Sequence, residues 1–502
     1  MALKFSFPRI CIALGVSDTA KLLERASREA DAGESFLEFR LDYLDRPEAG
    51  CDAIRDFLKR HAECLILATC RRHQNHGKFN GSIENQIRIL DTAVEAGARA
   101  VDVEIETAEA MPDKLGIFQG RAKVIVSYHN YETTPKMDAV LRRLQKVPAD
   151  AYKLATTARK PTDIARVLEL ARRNPRVPLV LLAMGETGFP TRVLSASFGG
   201  LFTYAAPLSM DGTAAGQVSA KQLRHFYRVD KLTKSAKVFG VVADPVMHSI
   251  SPAVHNRAFQ SRRVDAVYVP LLVAPAQIKD LFALAESLPL AGFSVTIPHK
   301  QRVMRYLDHI EPAARRIGAV NTVWKKAGKW RGANTDVDGI KGPLGRRLSL
   351  AGASILIAGN GGAARSAVCA LSDAGAKLTV CGRNPDRVRS LAKLFNAEAL
   401  SIVDAQKRDF DALVHATPVG MFPHGDGCFF AGRIPAEVVF DMVYNPMETL
   451  LLKRAKQQGK TVIGGIEMFI EQAVRQFEIW TGDAAPRAAM EKAALEALEN
   501  RI

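Results

Sequence analysis

Residues 354–364 of this 502-residue chain read Ser-Ile-Leu-Ile-Ala-Gly-Asn-Gly-Gly-Ala-Ala, and this stretch decides the fold of the second half. Residues 354–358 are typical of a buried parallel strand, and a helix is predicted to follow the glycines to about Ala374. Glycines in such a turn let backbone N–H groups approach a pyrophosphate at the helix N-terminus. The pattern therefore predicts a nucleotide-binding α/β lobe whose loop residues are Gly359, Asn360, Gly361, Gly362 and Ala363.

The strand that follows indicates which dinucleotide binds. It is predicted at 377–381 and ends in Gly382-Arg383-Asn384, with Arg387 nearby. An NAD-selective site would place an acidic residue here for the ribose 2′-hydroxyl, whereas a guanidinium pairs with a 2′-phosphate. We therefore expect this Rossmann-type lobe to bind NADP through Arg383, Asn384 and Arg387. The alternative is that the arginines are ordinary surface residues.

The first half of the chain has a different rhythm, in which β-rich runs alternate with amphipathic stretches. Ile83, Ile87 and Leu90, for example, fall on one helical face. The runs start about 23 to 35 residues apart, the size of a strand with its return helix. This rhythm predicts a (β/α)8 barrel with strands at 10–15, 36–42, 65–71, 100–105, 124–129, 151–156, 179–185 and 202–207.

Ionisable residues fall at the ends of these predicted strands. A (β/α)8 barrel builds its active site at the C-terminal ends of its strands, so these side chains are expected to meet at one mouth. The second strand is closed by Glu38, Arg40 and Asp42, the third by Arg71, and the fifth by His129, while Asp102 and Glu104 lie in the fourth and Lys153 in the sixth.

Lys153 and His129 point to covalent chemistry. Burial disfavours the charged form of a lysine, and the neutral amine is a nucleophile that forms a Schiff base with a ketone. A histidine at the neighbouring strand end supplies the proton shuttle that such chemistry needs. The alternatives are a snorkelling or salt-bridged lysine and a hydrogen-bonded loop histidine.

These residues resemble type I 3-dehydroquinate dehydratase over about residues 8–230. The matching segments are Val-Ser-Tyr-His at 126–129, Lys153, Glu38-x-Arg40-x-Asp42, Arg71, Arg192 and Gly-Gln-Val-Ser at 216–219. The resemblance implies that Lys153 forms an imine with the substrate ketone, while His129 removes a C2 proton and then protonates the leaving C1 hydroxyl. It implies that Arg192 binds the substrate carboxylate and that the loop 213–216 covers the substrate. The implied substrate-binding set is Glu38, Arg40, Arg71, Arg192, Thr213 and Gln217.

Two positions depart from the pattern of that family. Asn75 stands where the family has a glutamate that orients the histidine, which predicts either lower activity or transfer of this task to Glu104. Thr213 replaces a serine and keeps the hydroxyl.

The second half carries four further polar segments in a set order. They are His-Ser-Ile-Ser-Pro at 248–252, Gly-Phe-Ser-Val-Thr-Ile-Pro-His-Lys at 292–300, Gly-Ala-Val-Asn-Thr at 318–322 and Ala-Asn-Thr-Asp at 333–336. Paired hydroxyls can hold a carboxylate, and a lysine beside an aspartate can move a proton. Each segment alone fits a plain turn. Together with 416–421, 441–446 and 465–469, they resemble shikimate dehydrogenase over about residues 236–502.

This second resemblance implies a role for each matching residue. Lys300 and Asp336 are expected to be the catalytic pair. The implied substrate-binding residues are Ser249, Ser251, Thr296, Asn321, Tyr444 and Gln472, and the further cofactor-binding residues are Thr417, Val443 and Gly465. Ser294 stands where many bacterial members have asparagine, and plant-like bifunctional enzymes share the serine. No metal is implied.

Composition and charge exclude other classes. The net charge of +16 divides into +6 up to residue 232 (34 basic, 28 acidic) and +10 beyond it (35 basic, 25 acidic), so no basic tail indicates binding to nucleic acid or a membrane. The excess indicates a solvated basic surface or a field that attracts anionic substrates. Seven cysteines without a C-x-x-C pair, and no signal peptide, predict a cytoplasmic protein.

The two halves, in this order, are similar to the bifunctional 3-dehydroquinate dehydratase/shikimate dehydrogenase family. We predict a barrel domain over 1–232, a shikimate-binding lobe over 233–345 to which 466–502 return, and an NADP-binding lobe over 346–465. The implied reactions are consecutive, because loss of water from 3-dehydroquinate gives 3-dehydroshikimate, which NADPH reduces to shikimate.

Four alternatives stay open. They are an aldolase-like barrel fused to a reductase, a metabolite sensor built from degenerate copies, a second half that acts on quinate, and a basic nucleic-acid binder. His129 and Arg192 favour a dehydratase over an aldolase. The intact lysines and Asp336 argue against a sensor, while Asn75 argues for one in the first half.

Overall fold

The computed structural model describes residues 5–209, 212–213, 216–430 and 432–499. The chain divides into two units. The first combines residues up to Val238 with Asp265–Leu290, and the second combines Phe239–Val264 with the chain from Ala291 onward. Within the described ranges, no helix has both the length and the apolar character needed to cross a bilayer.

Eight parallel strands form the barrel of the first unit. They are β1 (Ile10–Leu14), β2 (Phe36–Arg40), β3 (Leu65–Thr69), β4 (Ala100–Glu104), β5 (Lys123–His129), β6 (Ala151–Thr157), β7 (Leu179–Met184) and β8 (Thr203–Ala205). Their order is β7-β6-β5-β4-β3-β2-β1-β8, and at the seam Leu201 N donates to Leu179 O at 2.7 Å. Each predicted run matches one strand to within two residues, so the barrel is confirmed.

Helices return the chain between these strands. They are α1 (Thr19–Asp31), α2 (Ala49–Arg60), α3 (Ile83–Glu95), α4 (Ile105–Ala110), α5 (Met137–Leu144), α6 (Pro161–Arg173) and α7 (Phe189–Leu194). Helix α3 begins where the Ser82 side chain accepts the N–H of Asn85, and it buries the face formed by Ile87, Leu90 and Val94.

Aromatic side chains fill the barrel near the N-terminal ends of its strands. The rings of Phe36 and Phe202 lie 5.0 Å apart, and Phe7 lies 5.5 Å from the first and 5.3 Å from the second. Leu67 and Ile125 belong to the same buried cluster. This end of the barrel is apolar. The ionisable side chains lie beyond it, toward the C-terminal ends of the strands, where a barrel places its active site.

From residue 237 onward, strands and helices alternate again. The strands are β9 (Lys237–Ala243), β10 (Ala266–Leu272), β11 (Leu290–Val295), β12 (His309–Ile310), β13 (Thr322–Lys326), β14 (Lys329–Ala333), β15 (Ser354–Ala358), β16 (Lys377–Cys381), β17 (Glu398–Leu400), β18 (Phe410–His415), β19 (Ala436–Asp441) and β20 (Thr461–Ile463). The helices are α8 (Ser251–Ser261), α9 (Ile278–Ser287), α10 (Pro312–Ile317), α11 (Asp336–Gly345), α12 (Gly362–Asp373), α13 (Pro385–Leu394), α14 (Ile402–Gln406), α15 (Leu450–Gln457), α16 (Gly465–Thr481) and α17 (Arg487–Glu499).

A mixed sheet in the second unit contains β9, β11, β13, β14 and β12 in that order. Strand β13 is antiparallel to β11 and β14, whereas β12 is parallel to β14. Helix α16 packs on this sheet, since Trp480 Nε1 donates to Val323 O at 3.1 Å and Ser294 Oγ donates to Gln476 Oε1 at 2.9 Å.

The other sheet of the second unit is parallel throughout, with the order β17-β16-β15-β18-β19-β20. Counted from β15, this is the order 3-2-1-4-5-6 of a Rossmann sheet. Ile355, Val380, Val414 and Phe440 are buried in its core. The predicted strands at 354–358 and 377–381 are confirmed at the same bounds, because continuous apolar runs are typical of parallel strands covered on both faces.

Candidate active sites

The four even-numbered strands of the barrel contribute one polar layer. Glu38 lies on β2, Asp102 on β4, Lys153 on β6 and Tyr204 on β8, and all four are buried. Alternate strands of a (β/α)8 barrel supply the side chains of one interior layer. The fold therefore brings together residues that are up to 166 positions apart in the chain, from Glu38 to Tyr204.

Lys153 is at the centre of this layer. Its Nζ donates to Asp102 Oδ2 at 2.8 Å and to Tyr204 Oη at 2.9 Å, and it lies 3.9 Å from Glu38 Oε1. Burial by itself raises the pKa of Asp102, but the charges of Lys153 and Arg71 outweigh it and lower that pKa below the usual range. The ammonium is thus compensated by a carboxylate that stays ionised.

His129 ends β5 on the same face as Ser127, the residue paired in register with Lys153. Burial, followed by the positive charges of Arg71 and Lys153, holds the pKa of His129 well below 6.5. The imidazole is therefore neutral near pH 7 and able to accept a proton. Its ring stacks at 6.1 Å on that of Tyr131.

The structure does not give Glu104 the task of orienting His129. Glu104 Oε1 accepts the backbone N–H of Arg72 at 2.7 Å, and Oε2 accepts Gln86 Nε2 at 2.5 Å. Within the described part of the chain, no hydrogen bond joins either Glu104 or Asn75 to His129. The imidazole is instead placed by its position on β5 and by the stacked Tyr131.

Three of the predicted substrate-binding residues are arginines, and their surroundings differ. Arg40 donates from Nε and Nη2 to both oxygens of Asp42, at 2.9 and 2.8 Å, so an ion pair inside the protein already occupies this predicted substrate ligand. Arg71 has Nε and Nη2 buried without a hydrogen-bond partner among the described residues, although Nη2 lies 3.7 Å from Asp102. Arg192 on α7 is fully buried, and burial lowers its pKa to about 10.

The loop predicted to cover the substrate is only partly described. Gln217 Oε1 accepts the N–H of Thr213 at 2.8 Å, so the two ends of the loop are tied together. Gly216 has φ of +75°, a conformation that favours glycine. The intervening residues 214–215 lie outside the described residues.

A second constellation lies in the second unit around Lys300. Lys300 Nζ donates to Asp336 Oδ2 at 2.7 Å, and Asn321 Nδ2 donates to Asp336 Oδ1 at 2.8 Å. Asp336 is the first residue of α11, where the helix dipole favours a carboxylate. The N–H of Thr335 donates to Asn321 Oδ1 at 2.8 Å and fixes that amide. The structure therefore brings the predicted catalytic pair and Asn321 into one hydrogen-bonded group.

The other predicted substrate ligands of this half lie beside the ends of elements, except for Gln472, which lies inside α16. Ser249 Oγ accepts the N–H of Ser251, the first residue of α8, at 3.2 Å. Thr296 follows β11 and its N–H donates to Val242 O at 3.1 Å. Gln472 lies on α16 with Nε2 donating to Phe469 O at 2.9 Å, and the ring of Tyr444 lies 5.4 Å from that of Phe469.

The glycine loop after β15 fits a dinucleotide. Gly359 has φ of +131°, and a Cβ there would lie 2.8 Å from Ala416 O, so only glycine is accommodated. A Cβ on Gly361 or Gly362 would meet nothing within 4 Å, which leaves the start of α12 open to a phosphate. Asn360 and Ala363 complete this loop and the first turn of α12.

The adenosine side of the cofactor site lies at the end of β16. Asn384 caps α13 by accepting the N–H of Arg387 at 3.0 Å, and the side chains of Arg383 and Arg387 are exposed. Two cations at this strand end suit a 2′-phosphate. The residues present therefore fit NADP, both at the open glycine loop and at this basic edge.

A buried network supports the remaining predicted cofactor ligands. Asp441 Oδ1 lies 2.9 Å from His415 Nδ1 and accepts the N–H of Val443 at 3.0 Å, while His415 Nε2 lies 2.5 Å from Thr417 Oγ1. A Cβ on Gly465 would lie 2.5 Å from the carbonyl oxygens of Met442 and Val443, so the start of α16 approaches that backbone closely.

Comparison with known proteins adds independent information. A family model described as Type I 3-dehydroquinase matches residues 10–234, and models of the shikimate dehydrogenase substrate binding domain and the shikimate 5′-dehydrogenase C-terminal domain match 241–323 and 465–495. A bifunctional 3-dehydroquinate dehydratase/shikimate dehydrogenase (chloroplastic) of Arabidopsis thaliana is 33% identical over 503 residues, covering 95% of this chain and 83% of that protein. The chain belongs to this bifunctional family.

Other relatives of the chain match its dehydrogenase half. The shikimate dehydrogenase (NADP(+)) of Nitrosopumilus maritimus is 38% identical over 268 residues, covering 52% of this chain and 98% of that protein. A shikimate dehydrogenase solved in complex with NADP+ is similar with a TM-score of 0.50 and 34% identity, covering 53% of this chain and 97% of its own. The Aquifex aeolicus shikimate dehydrogenase has a TM-score of 0.50 and 32% identity, covering 52% and 98%.

The sequence did not indicate several residues that complete the barrel site and the cofactor site. In the sequence, Tyr204 is one of the apolar and aromatic residues of a predicted strand. Ser127 donates to Asp102 Oδ1 at 2.6 Å, and in the sequence it is only one member of the Val-Ser-Tyr-His motif. The alternate-strand rule of the barrel was the signal for Tyr204, since it shares a layer with Lys153. His415 and Asp441 each end a strand, and only the parallel pairing of β18 with β19 places them side by side.

Proposed function

We propose that the first unit dehydrates 3-dehydroquinate through an imine on Lys153 and that the second reduces the product, 3-dehydroshikimate, to shikimate with NADPH. The observation that carries the proposal is Lys153 in the polar layer, 2.8 Å from Asp102, in a chain whose family joins both activities. A buried amine between two fixed acceptors suits attack on a ketone.

In the dehydration, Lys153 first gives up its ammonium proton, and the neutral Nζ attacks the C3 ketone. A C–N bond forms, and the carbonyl oxygen takes up that proton and one further proton from Nζ and leaves as water. The iminium positive charge is balanced by Asp102 and Glu38, which already surround the ammonium. Neutral His129 takes a proton from C2, and the electron pair moves toward the iminium. The imidazolium then protonates the C1 hydroxyl, which leaves as water, and hydrolysis of the imine releases the product and restores Lys153.

Substrate orientation is assigned to the arginines. Arg71 offers two buried donors without a partner among the described residues, and such donors gain most from a polar ligand. Arg192, whose pKa is lowered to about 10 by burial, gains from a carboxylate beside it. Arg40, held by Asp42, contributes to the shape of the mouth and does not bind the substrate directly.

In the reduction, NADPH, when bound, would supply a hydride to C3 of the substrate. The glycine loop 359–362 and the arginines after β16 would hold the cofactor. Lys300 Nζ gives a proton to the C3 oxygen as it becomes a hydroxyl, and Asp336 and Asn321 orient the amine. Ser249 and Ser251 lie at the N-terminus of α8, where hydroxyls and backbone N–H groups suit the substrate carboxylate.

We also propose the lobe division 233–345 with 466–502, and 346–465. The Rossmann sheet, which lies between Ser354 and Ile463, and the packing of α16 on the mixed sheet support it. The cysteines described at all seven positions are free, which supports a reducing, cytoplasmic setting.

A coupled assay tests the proposal. The full chain is given 3-dehydroquinate and NADPH, and enone absorbance, NADPH oxidation and shikimate are followed together. We expect shikimate from the wild type, no enone from Lys153→Ala, and accumulated 3-dehydroshikimate from Lys300→Ala. Each variant should keep the other activity on its own substrate. No turnover of either substrate by the wild type would overturn the proposal.

A further inference from the structure

Tyr204 is a buried partner of the amine in the barrel. It lies on β8, opposite Cys11 of β1, with 2% of its surface exposed. Its Oη accepts from Lys153 Nζ at 2.9 Å, and its ring centroid lies 4.3 Å from the same nitrogen. Glu38, the next acceptor, is at 3.9 Å, beyond hydrogen-bond distance. Among the residues that the structure describes, Tyr204 and Asp102 are therefore the two hydrogen-bond partners of the amine.

We propose that Tyr204 is a positioning residue for Lys153, fixing the direction from which the amine attacks the substrate ketone. The inference rests on the proposed dehydration. A neutral amine has two N–H bonds and one lone pair. When Asp102 and Tyr204 accept hydrogen bonds from the two N–H groups, the lone pair is left in one direction, and the nucleophile is preorganised.

The two acceptors are themselves held in place, which makes the orientation definite. Asp102 uses Oδ2 for the amine and receives Ser127 Oγ on Oδ1 at 2.6 Å. Tyr204 is packed edge-on against Phe202, with ring centroids 5.4 Å apart. Burial, followed by the charges of Glu38 and the neighbouring acidic groups, raises the pKa of Tyr204 well above 10, so the group is a neutral hydroxyl throughout the working range.

The decisive variant is Tyr204→Phe, which removes the hydroxyl and keeps the ring. Its matched control is Tyr152→Phe, a neighbour of Lys153 on β6 whose Oη donates to Val147 O at 3.0 Å and does not contact the amine. Steady-state dehydration gives kcat and KM. Borohydride quenching at short times, read by mass spectrometry, gives the rate of imine formation on Lys153.

We expect Tyr204→Phe to lower kcat and the rate of imine formation about three- to ten-fold, as for loss of a hydrogen bond between two neutral groups. KM should be unchanged, because Tyr204 acts on the lysine and not on the substrate. The Tyr152→Phe variant and the dehydrogenase activity of both variants should equal the wild type.

Unchanged kcat and imine formation in Tyr204→Phe would overturn the inference, as would a change confined to KM. An equal loss in Tyr152→Phe, or a fall in melting temperature that accounts for the lost activity, would show a structural role and overturn it too. If the wild type itself forms no imine with 3-dehydroquinate, the proposed function fails instead, so the two failures are distinguishable.

Discussion

Lys153 Nζ and Asp102 Oδ2 lie 2.8 Å apart inside the barrel, and Ser127 holds the second oxygen of that carboxylate. The two residues are 51 positions apart in the chain and on strands separated by β5. A buried pair of this kind is sensitive to loss of one partner, since the remaining charge is left without compensation.

The Asp102→Asn variant should therefore dehydrate 3-dehydroquinate about a hundred-fold more slowly, from a loss of about 3 kcal/mol in stabilisation of the charged nitrogen. The measurement is kcat for formation of the enone product. Asp138→Asn, which removes only an exposed carboxylate paired with Arg173, is the control and should match the wild type. Equal activity in Asp102→Asn would show that this carboxylate does not support the amine.

His129 should remain neutral across the physiological range. Burial and the charges of Arg71 and Lys153 hold its pKa well below 6.5, so lowering the pH from 8 to 6 leaves the imidazole unprotonated. NMR of the chain labelled at histidine Cε1 reports this, with the signal assigned by its absence in His129→Asn. Its shift should stay constant over this interval. A titration centred near pH 6.5 would contradict the electrostatic account of the base.

Choice of cofactor should depend on Arg383. Removing its guanidinium in Arg383→Ala should raise KM for NADPH about ten- to hundred-fold and leave KM for NADH unchanged, because only NADPH carries the 2′-phosphate. Arg389→Ala is the control, since that side chain lies on α13, the helix that follows Arg383, and pairs with Asp386. A parallel rise for both cofactors, or no rise, would place the 2′-phosphate elsewhere.

Acid should destabilise the second unit through His255. Burial lowers the pKa of His255 to about 3, whereas an unfolded histidine titrates near 6.5, so between these values the unfolded state binds a proton that the folded state does not. The free energy of unfolding should thus fall as the pH drops below about 6.5, by about 2 kcal/mol at pH 5.

Urea unfolding followed by tryptophan fluorescence measures this loss, because all three tryptophans, Trp324, Trp330 and Trp480, lie in the second unit. In His255→Gln the loss between pH 7 and pH 5 should be smaller by about 2 kcal/mol. The same loss in both proteins would mean that other groups cause it.

The strands were predictable from sequence because their apolar runs and turn residues are local signals. The barrel runs and the two strands around the glycine loop match the structure to within two residues. The positions of Lys153, His129, Lys300 and Asp336 were also predictable, since each ends or interrupts an apolar element or lies in a motif. Their assignment as catalytic residues stays a prediction.

Partners that depend on strand register were not predictable. Tyr204 reaches Lys153 only when β8 pairs with β1 and the barrel closes. The Arg40–Asp42 ion pair depends on how the turn after β2 is folded. The prediction that Glu104 orients His129, in place of the glutamate that is missing at position 75, was wrong, because hydrogen-bond partners could not be read from the sequence. Glu104 is on β4, and its oxygens are occupied by Arg72 and Gln86.

Trapping of the imine tests the central claim most directly. The full chain is mixed with 3-dehydroquinate and sodium borohydride, digested and examined by mass spectrometry. A reduced adduct should be found on Lys153, with loss of dehydration and retention of dehydrogenase activity, and Lys153→Ala should carry none. An unmodified Lys153 in the wild type, or an adduct that persists in Lys153→Ala, would contradict the account.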